Sequence, residues 1–163
     1  MKFAVITLSD KGYKKERDDL TGPALIDFIQ KNLNEMELAY YTVIPDDKEM
    51  LKRELIELSD NSIDLIVTNG STGIAPRDIA PDVTLELIEK RLYGFEEVMR
   101  IKSFEKTPTA IVSRACVGTR KNSLIINVPG SPKAAIENIS VVLGAILHTI
   151  KKLQGDDTPC ASV

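Results

Sequence analysis

What most narrows the fold is an alternation. Short apolar runs with β-branched members are each closed by a polar or glycine-rich turn, and segments of helical periodicity lie between them. Residues 3–8, 38–44, 65–67 and 124–128 are the strand-like runs. The run at 65–67, Leu-Ile-Val, has no polar member to face water, which is the pattern of a strand covered on both sides. Helical segments start at Thr21-Gly22-Pro23, at Asp46-Asp47-Lys48-Glu49, near Pro81 and at Ser131-Pro132. Leu25, Phe28, Ile29 and Leu33 share one face of the first, and Leu51, Leu55 and Leu58 one face of the second. The last carries Ile136, Ile139, Leu143, Ile146, Ile150 and Leu153 in alternating steps of three and four. Such a chain predicts a three-layer α/β/α sandwich around a mostly parallel central sheet.

Between the third and fourth strands the pattern is coarser. Residues 81–90 read as one helix, with Val83, Leu87 and Leu92 toward the core. Gly94 breaks it, and residues 95–104 read as another, with Val98, Met99 and Ile101 apolar. Residues 110–112 form a short run compatible with a strand.

The length of 163 residues suits a single domain, drawn here at residues 1–154 with a tail of residues 155–163. A net charge of -3 argues against a general nucleic-acid binder. No apolar run reaches membrane-spanning length, and the chain enters its first strand without a signal-peptide pattern. Cys116 and Cys160 match no metal spacing. A reduced, cytoplasmic chain with no nucleic-acid or membrane partner is therefore expected.

The chemistry concentrates where strands end. Asn69-Gly70-Ser71-Thr72-Gly73 follows the third strand, and glycines there let backbone N–H groups approach an anion. Arg77 offers a planar fork for phosphate or carboxylate, Asp78 a metal ligand, and Pro81 marks a helix N-terminus. Ser9-Asp10, Pro45-Asp46-Asp47 and Pro129-Gly130-Ser131 close the other strands. In a parallel sheet all four clusters face one rim, the usual place for ligands. Carboxylates beside phosphates imply a bridging Mg²⁺. Each residue also has a structural reading. Asp46 with Glu49 resembles a capping box, Asp78 suits an Asx-turn, and Ser131 is a helix cap. His148, the single histidine, lies far from every such loop.

Taken together, these residues resemble the molybdopterin adenylyltransferase family. Gly70-Ser71-Thr72-Gly73, Arg77-Asp78 and Pro81-Asp82 match its central loop, and Ser9-Asp10, Asp18 and Gly22-Pro23 its opening. Pro45-Asp46-Asp47, Gly94-Phe95-Glu96, Met99-Arg100, Ser113-Arg114, Gly118 and Pro129-Gly130-Ser131-Pro132-Lys133 complete a likeness that covers essentially the whole chain. Departures are Ser71 for a glycine, Asn69 and Ala80 for threonines, and Tyr93 for a proline. If position 71 needs a positive φ, Ser71 stores strain, and Ala80 forfeits a capping hydroxyl worth about 1 kcal/mol.

The resemblance implies transfer of AMP from ATP to the terminal phosphate of molybdopterin, with Mg²⁺, releasing pyrophosphate. It implies Asp46 and Asp78 as catalytic residues and metal ligands. Ser9, Asp10, Gly70, Ser71, Thr72, Gly73, Arg77, Ser113, Pro129, Gly130, Ser131 and Lys133 would hold substrate or nucleotide. A homotrimer and a downstream molybdenum-insertion protein are implied as partners. The rival reading is a catalytically silent carrier or scaffold of the same fold that binds molybdopterin or nucleotide.

Overall fold

A computed structural model describes residues 1–157. The chain runs β1 (Lys2–Leu8), α1 (Asp10–Tyr13), α2 (Thr21–Asn32), β2 (Glu37–Ile44), α3 (Lys48–Asp60), β3 (Leu65–Asn69) and α4 (Ala80–Leu87). It continues through β4 (Lys90–Arg91), α5 (Tyr93–Lys106), a 3-10 turn (Pro108–Val112), β5 (Val117–Arg120), β6 (Ser123–Val128) and α6 (Pro132–Leu153). One sheet holds all the strands in the order β2-β1-β3-β6-β5-β4. The first four are parallel, while β5 and β4 run antiparallel to their neighbours.

Alternation along the central strands explains why their apolar runs are unbroken. Phe3, Val5, Leu65, Val67, Leu124 and Ile126 join the core under α2, α5 and α6. Ala4, Ile6, Ile66 and Ile125 join the core under α3 and α4. Successive side chains of a strand point to opposite faces, so a strand between two helical layers needs apolar residues at every position. The sandwich is thus three-layered and mostly parallel, as expected.

Several local expectations fail. The cluster after β1 is itself helical, because the Gly12 N–H donates to Ser9 Oγ at 3.0 Å and closes the turn of α1. Gly94 is not a breaker but lies in the first turn of α5, and the preceding helix stops at Leu87. Residues 110–112 belong to the 3-10 turn, not a strand. Val98 and Ile101 are exposed, leaving Met99 as the fully buried apolar residue of α5. By length and composition alone the 22 residues of α6 are long and apolar enough to cross a membrane, contrary to the expectation above. In the fold, Ile139, Val142, Ile146 and Ile150 are buried against the sheet, and Ile136, Leu143 and Leu153 flank them half-buried. Cys160 and most of the tail lie outside the described residues.

Candidate functional site

Strand β1 sits between β2 and β3, so the chain leaves it in one direction and returns on the other side. The carboxyl ends of β1 and β3 therefore flank the switch point of the sheet. Gly70 ends β3 with φ 91, and a Cβ there would strike the Leu8 carbonyl oxygen of β1. A Cβ on Gly130, after β6, would lie 3.2 Å from Gly70 Cα. Bare backbone is what allows three rim loops to pack this closely.

Ser71 does adopt the left-handed region, at φ 57. It also ties down the start of α4, whose N-cap is Ile79 and whose first residue is Ala80. Ser71 Oγ accepts the Ile79 N–H at 2.9 Å, and its carbonyl accepts the Ala80 N–H at 3.1 Å. The two departures therefore compensate, and the strain at Ser71 is offset by closing the N-terminus of α4.

The loop after β2 separates two neighbouring aspartates. Asp47, not Asp46, caps α3, accepting the Met50 N–H at 2.8 Å. The capping-box reading of Asp46 is overturned, and its half-buried carboxylate faces the rim. Burial, and to a lesser degree the Asp10 charge, raise its pKa; the nearby Ser71 hydroxyl and Arg77 guanidinium act the other way.

Asp78 closes a turn with its own loop rather than heading α4, since its Oδ2 accepts the Ala75 N–H at 2.8 Å. Its Oδ1 accepts no hydrogen bond from the described residues. Gly73 packs against it, and a Cβ at position 73 would fall 2.7 Å from Asp78 Oδ2. Behind both lies Arg114, whose Nε donates to the Gly73 carbonyl and whose Nη2 donates to the Asp78 carbonyl, each at 2.7 Å. Its Nη1 also donates to Asp82 at 2.8 Å, which holds that carboxyl below the usual range. Arg114 organises the loop, a role its place in the sequence did not disclose.

Arg77 does not aim its fork into the rim. Nε and Nη2 each donate to Asp10 at 2.7 Å, lowering the pKa of that carboxyl. Asp10 Oδ1 also accepts the Asp46 N–H at 3.1 Å, so the pair braces the loop bearing Asp46.

Asp19, passed over in favour of Asp18, is the deeper of the two. Its Oδ1 accepts the Thr21 and Gly22 N–H groups at 2.9 and 3.1 Å. Its Oδ2 accepts the Thr7 and Tyr41 hydroxyls at 2.6 and 2.7 Å. This carboxylate already occupies the N-terminus of α2, closing it to phosphate. Because the Thr7 hydroxyl gives its proton to Asp19, it must accept from Asn69 Nδ2, 2.8 Å away. Asn69 Oδ1 is then left as the one buried side-chain acceptor without a partner among the described residues.

The predicted residues divide between two cavities. Ser9, Asp10, Asp46, Gly70, Ser71, Asp78 and Gly130 line one of about 390 Å³, together with Asp18, Asp19 and Asn69. Thr72, Gly73, Ser113, Pro129, Ser131 and Lys133 line the other, of about 350 Å³, against α5, α6 and the 3-10 turn. Arg77 and His148 line neither. The first cavity is walled by carboxylates, the second by apolar groups such as Met99, Ala110, Val112 and Ala134. They meet where Gly73 touches Asp78.

Among the described residues no three potential ligands cluster tightly enough to cage a metal. Asp46 and Asp78 on one wall fit the other mode of Mg²⁺ binding, in which one or two carboxylates act with phosphate oxygens. Cys116 is not a nucleophile. Its buried thiol lies 3.1 Å from Asn127 Oδ1, and burial pushes its pKa up to about 12.

Comparison with known proteins identifies the family. Residues 4–149 match the family described as a probable molybdopterin binding domain. The chain is 39% identical over 156 residues to a molybdopterin adenylyltransferase of Helicobacter pylori, covering 94% of this chain and 88% of that protein. It is 37% identical over 155 residues to a molybdopterin adenylyltransferase of Pyrococcus furiosus, covering 92% and 89%. The molybdopterin biosynthesis enzyme MoaB of Thermus thermophilus superposes with a TM-score of 0.88 at 39% identity, covering 95% of this chain and 97% of that one.

Proposed function

Since the chain belongs to the molybdopterin-binding domain family, we propose that it is a molybdopterin adenylyltransferase, with one substrate in each cavity. In this reading the terminal phosphate of molybdopterin attacks the α-phosphorus of ATP. A P–O bond forms there as the bond to the leaving pyrophosphate breaks. The nucleophile is already an anion, so the protein's task is positioning and charge control rather than proton removal. A site without histidine suits that task.

The observation that carries the proposal is the junction of the cavities at Gly73 and Asp78. The carboxylate-walled side suits a cation-bridged triphosphate, and the apolar side suits a flat heterocycle. Gly73, lacking a side chain, leaves the passage between them open. Asp46 and Asp78 would hold Mg²⁺, which neutralises phosphate charge when bound. Asp10 and Arg77 brace the loop that presents Asp46, and Ser71 holds the start of α4 in place.

The same reading places the chain in the cytoplasm, as a homotrimer that passes its product to a molybdenum-insertion protein. Exposed Val98, Ile101 and Phe104 on α5, with exposed Ile111 in the 3-10 turn, support self-association. Light scattering of the purified protein checks the trimer. The activity is tested by incubating protein with molybdopterin, ATP and Mg²⁺. Adenylylated molybdopterin and pyrophosphate should form together, and tight binding of both substrates without product would leave a carrier instead.

A further inference from the structure

We propose that Glu137 reads the amino edge of the pterin ring and so sets specificity in the helix-walled cavity. The inference rests on that cavity being the pterin side of the proposed function. Four charged side chains line it: Glu96, Arg100, Lys133 and Glu137. Two are already committed to the fold. Glu96 Oε1 accepts from Arg91 Nε and the Val117 N–H at 2.9 and 3.1 Å, and its Oε2 accepts from Arg91 Nη2 and Arg100 Nη2 at 2.9 and 3.2 Å. Arg100 gives Nη1 to the Ala115 carbonyl at 3.0 Å. Lys133 is exposed at the margin.

Glu137 differs from all three. Its side chain is only 25% exposed, yet its one ionic partner among the described residues is Lys106 Nζ, 3.2 Å from Oε1 and itself 56% exposed. Oε2 has no partner among those residues. A half-buried carboxylate with a single loose counter-charge keeps acceptor capacity at both oxygens. A ligand with two adjacent N–H donors would use it. A pterin presents such a pair, the ring N3–H and the 2-amino group, side by side and parallel, as a guanidinium does toward a carboxylate. Uncharged polar groups in reach, Ser103, Ser113 and Asn138 among them, have hydroxyls or amides that serve as donor or acceptor. With Glu96 committed to the fold, Glu137 is the acid left to accept a ligand at both atoms, so it fixes which edge of the ring enters.

The test uses the intact protein with 6-hydroxymethylpterin monophosphate and its 2-oxo, lumazine-type counterpart. In the counterpart a C=O replaces the amino group and would face a carboxylate oxygen. Wild type should bind the amino compound more tightly by about tenfold, the scale of a hydrogen bond to a charged group. Glu137→Gln presents one acceptor and one donor, so the preference should invert toward the 2-oxo compound while melting temperature and Mg-ATP affinity stay unchanged. Lys106→Ala, which removes the ion pair but keeps the acid, should retain the wild-type preference. A wild-type preference surviving in Glu137→Gln overturns the inference. So does Lys106→Ala losing the preference as Glu137→Gln does, since the acid would then act only through its ion pair. Wild type binding neither compound overturns the cavity assignment itself, and this inference with it.

Discussion

The two cavities on either side of Gly73 are built by different means. The carboxylate-walled one is made from loops at the ends of parallel strands, where the sheet holds backbone rigidly and the side chains are short. The helix-walled one is made from the flanks of α5 and α6 and a 3-10 turn, with longer side chains and apolar walls. Under the proposed function the difference matches two demands. Phosphoryl transfer needs charges placed to a fraction of an ångström, which strand ends supply. Recognition of a heterocycle needs an apolar slot with a few oriented polar groups, which helices supply.

Substitutions in the acidic cavity should break that division most severely. Asp78→Ala should lower turnover by about 10²–10³-fold while leaving pterin affinity within a few fold, since it removes charge control during transfer. Pterin affinity collapsing with normal residual turnover would move Asp78 to the other cavity. Asp46→Asn should lose turnover on the same scale, and its melting temperature should hold or rise. Burial raises the pKa of this acid in the folded state, so the folded protein binds the proton more tightly than the unfolded chain. Stability therefore falls as pH rises through the shifted value, and the neutral amide removes that slope. Full turnover in Asp46→Asn would remove Asp46 from the transfer step, since Asp47 already caps α3 and an amide there leaves capping untouched.

On the helix side, the largest effect should be on folding. Glu96→Gln leaves Arg91 and Arg100 without their buried counter-charge and should cost about 3 kcal/mol in denaturant unfolding. Burial would raise the pKa of Glu96, but both arginines and the Val117 N–H outweigh it and hold it below its ordinary value. The stabilisation is thus complete above the unfolded carboxylate pKa and lost as pH falls through the lower folded one. An unchanged acid limb of the stability profile in Glu96→Gln would remove Glu96 from that account.

Gly73→Val sits on the boundary and should touch both sides. Its Cβ would strike Asp78 Oδ2, so the carboxylate must shift, and turnover should fall by about tenfold or more, with weaker pterin binding. A folded variant with both parameters normal would separate the cavities altogether. The smallest effect belongs to Arg77→Ala. The guanidinium is largely exposed and held by Asp10, so the melting temperature should not move measurably and turnover should change only a few fold. A loss as large as that of Asp78→Ala would mean that Arg77 leaves Asp10 for substrate phosphate.

How much of this was legible follows from how local each feature is. β1, β3 and β6 are buried on both faces, and α2, α3 and α6 each present an apolar stripe, so their signals lie within a few residues. β4 is two exposed charged residues, and β5 is Val-Gly-Thr-Arg. Neither has a pattern of its own, because each is a strand only through its neighbour. The hairpin between β5 and β6 turns at Lys121 with φ 52, without the glycine that would have marked it. Likewise Asp46 and Asp47 are adjacent carboxylates, and only the start of α3 decides which becomes the cap.

Local periodicity and turn chemistry, read from the sequence alone, determined the layered α/β fold, the four strand-end clusters and the two aspartates that share one rim. They are properties of neighbouring residues, so the chain carries them before it closes. Only the tertiary structure decided that Arg77 braces Asp10, that Arg114 organises the Gly73 loop, that Thr7 and Tyr41 donate to Asp19, and that the rim divides into two cavities. Each of those pairings joins residues from different loops or elements, and a donor's partner is set by which acceptor the packed sheet brings within about 3 Å.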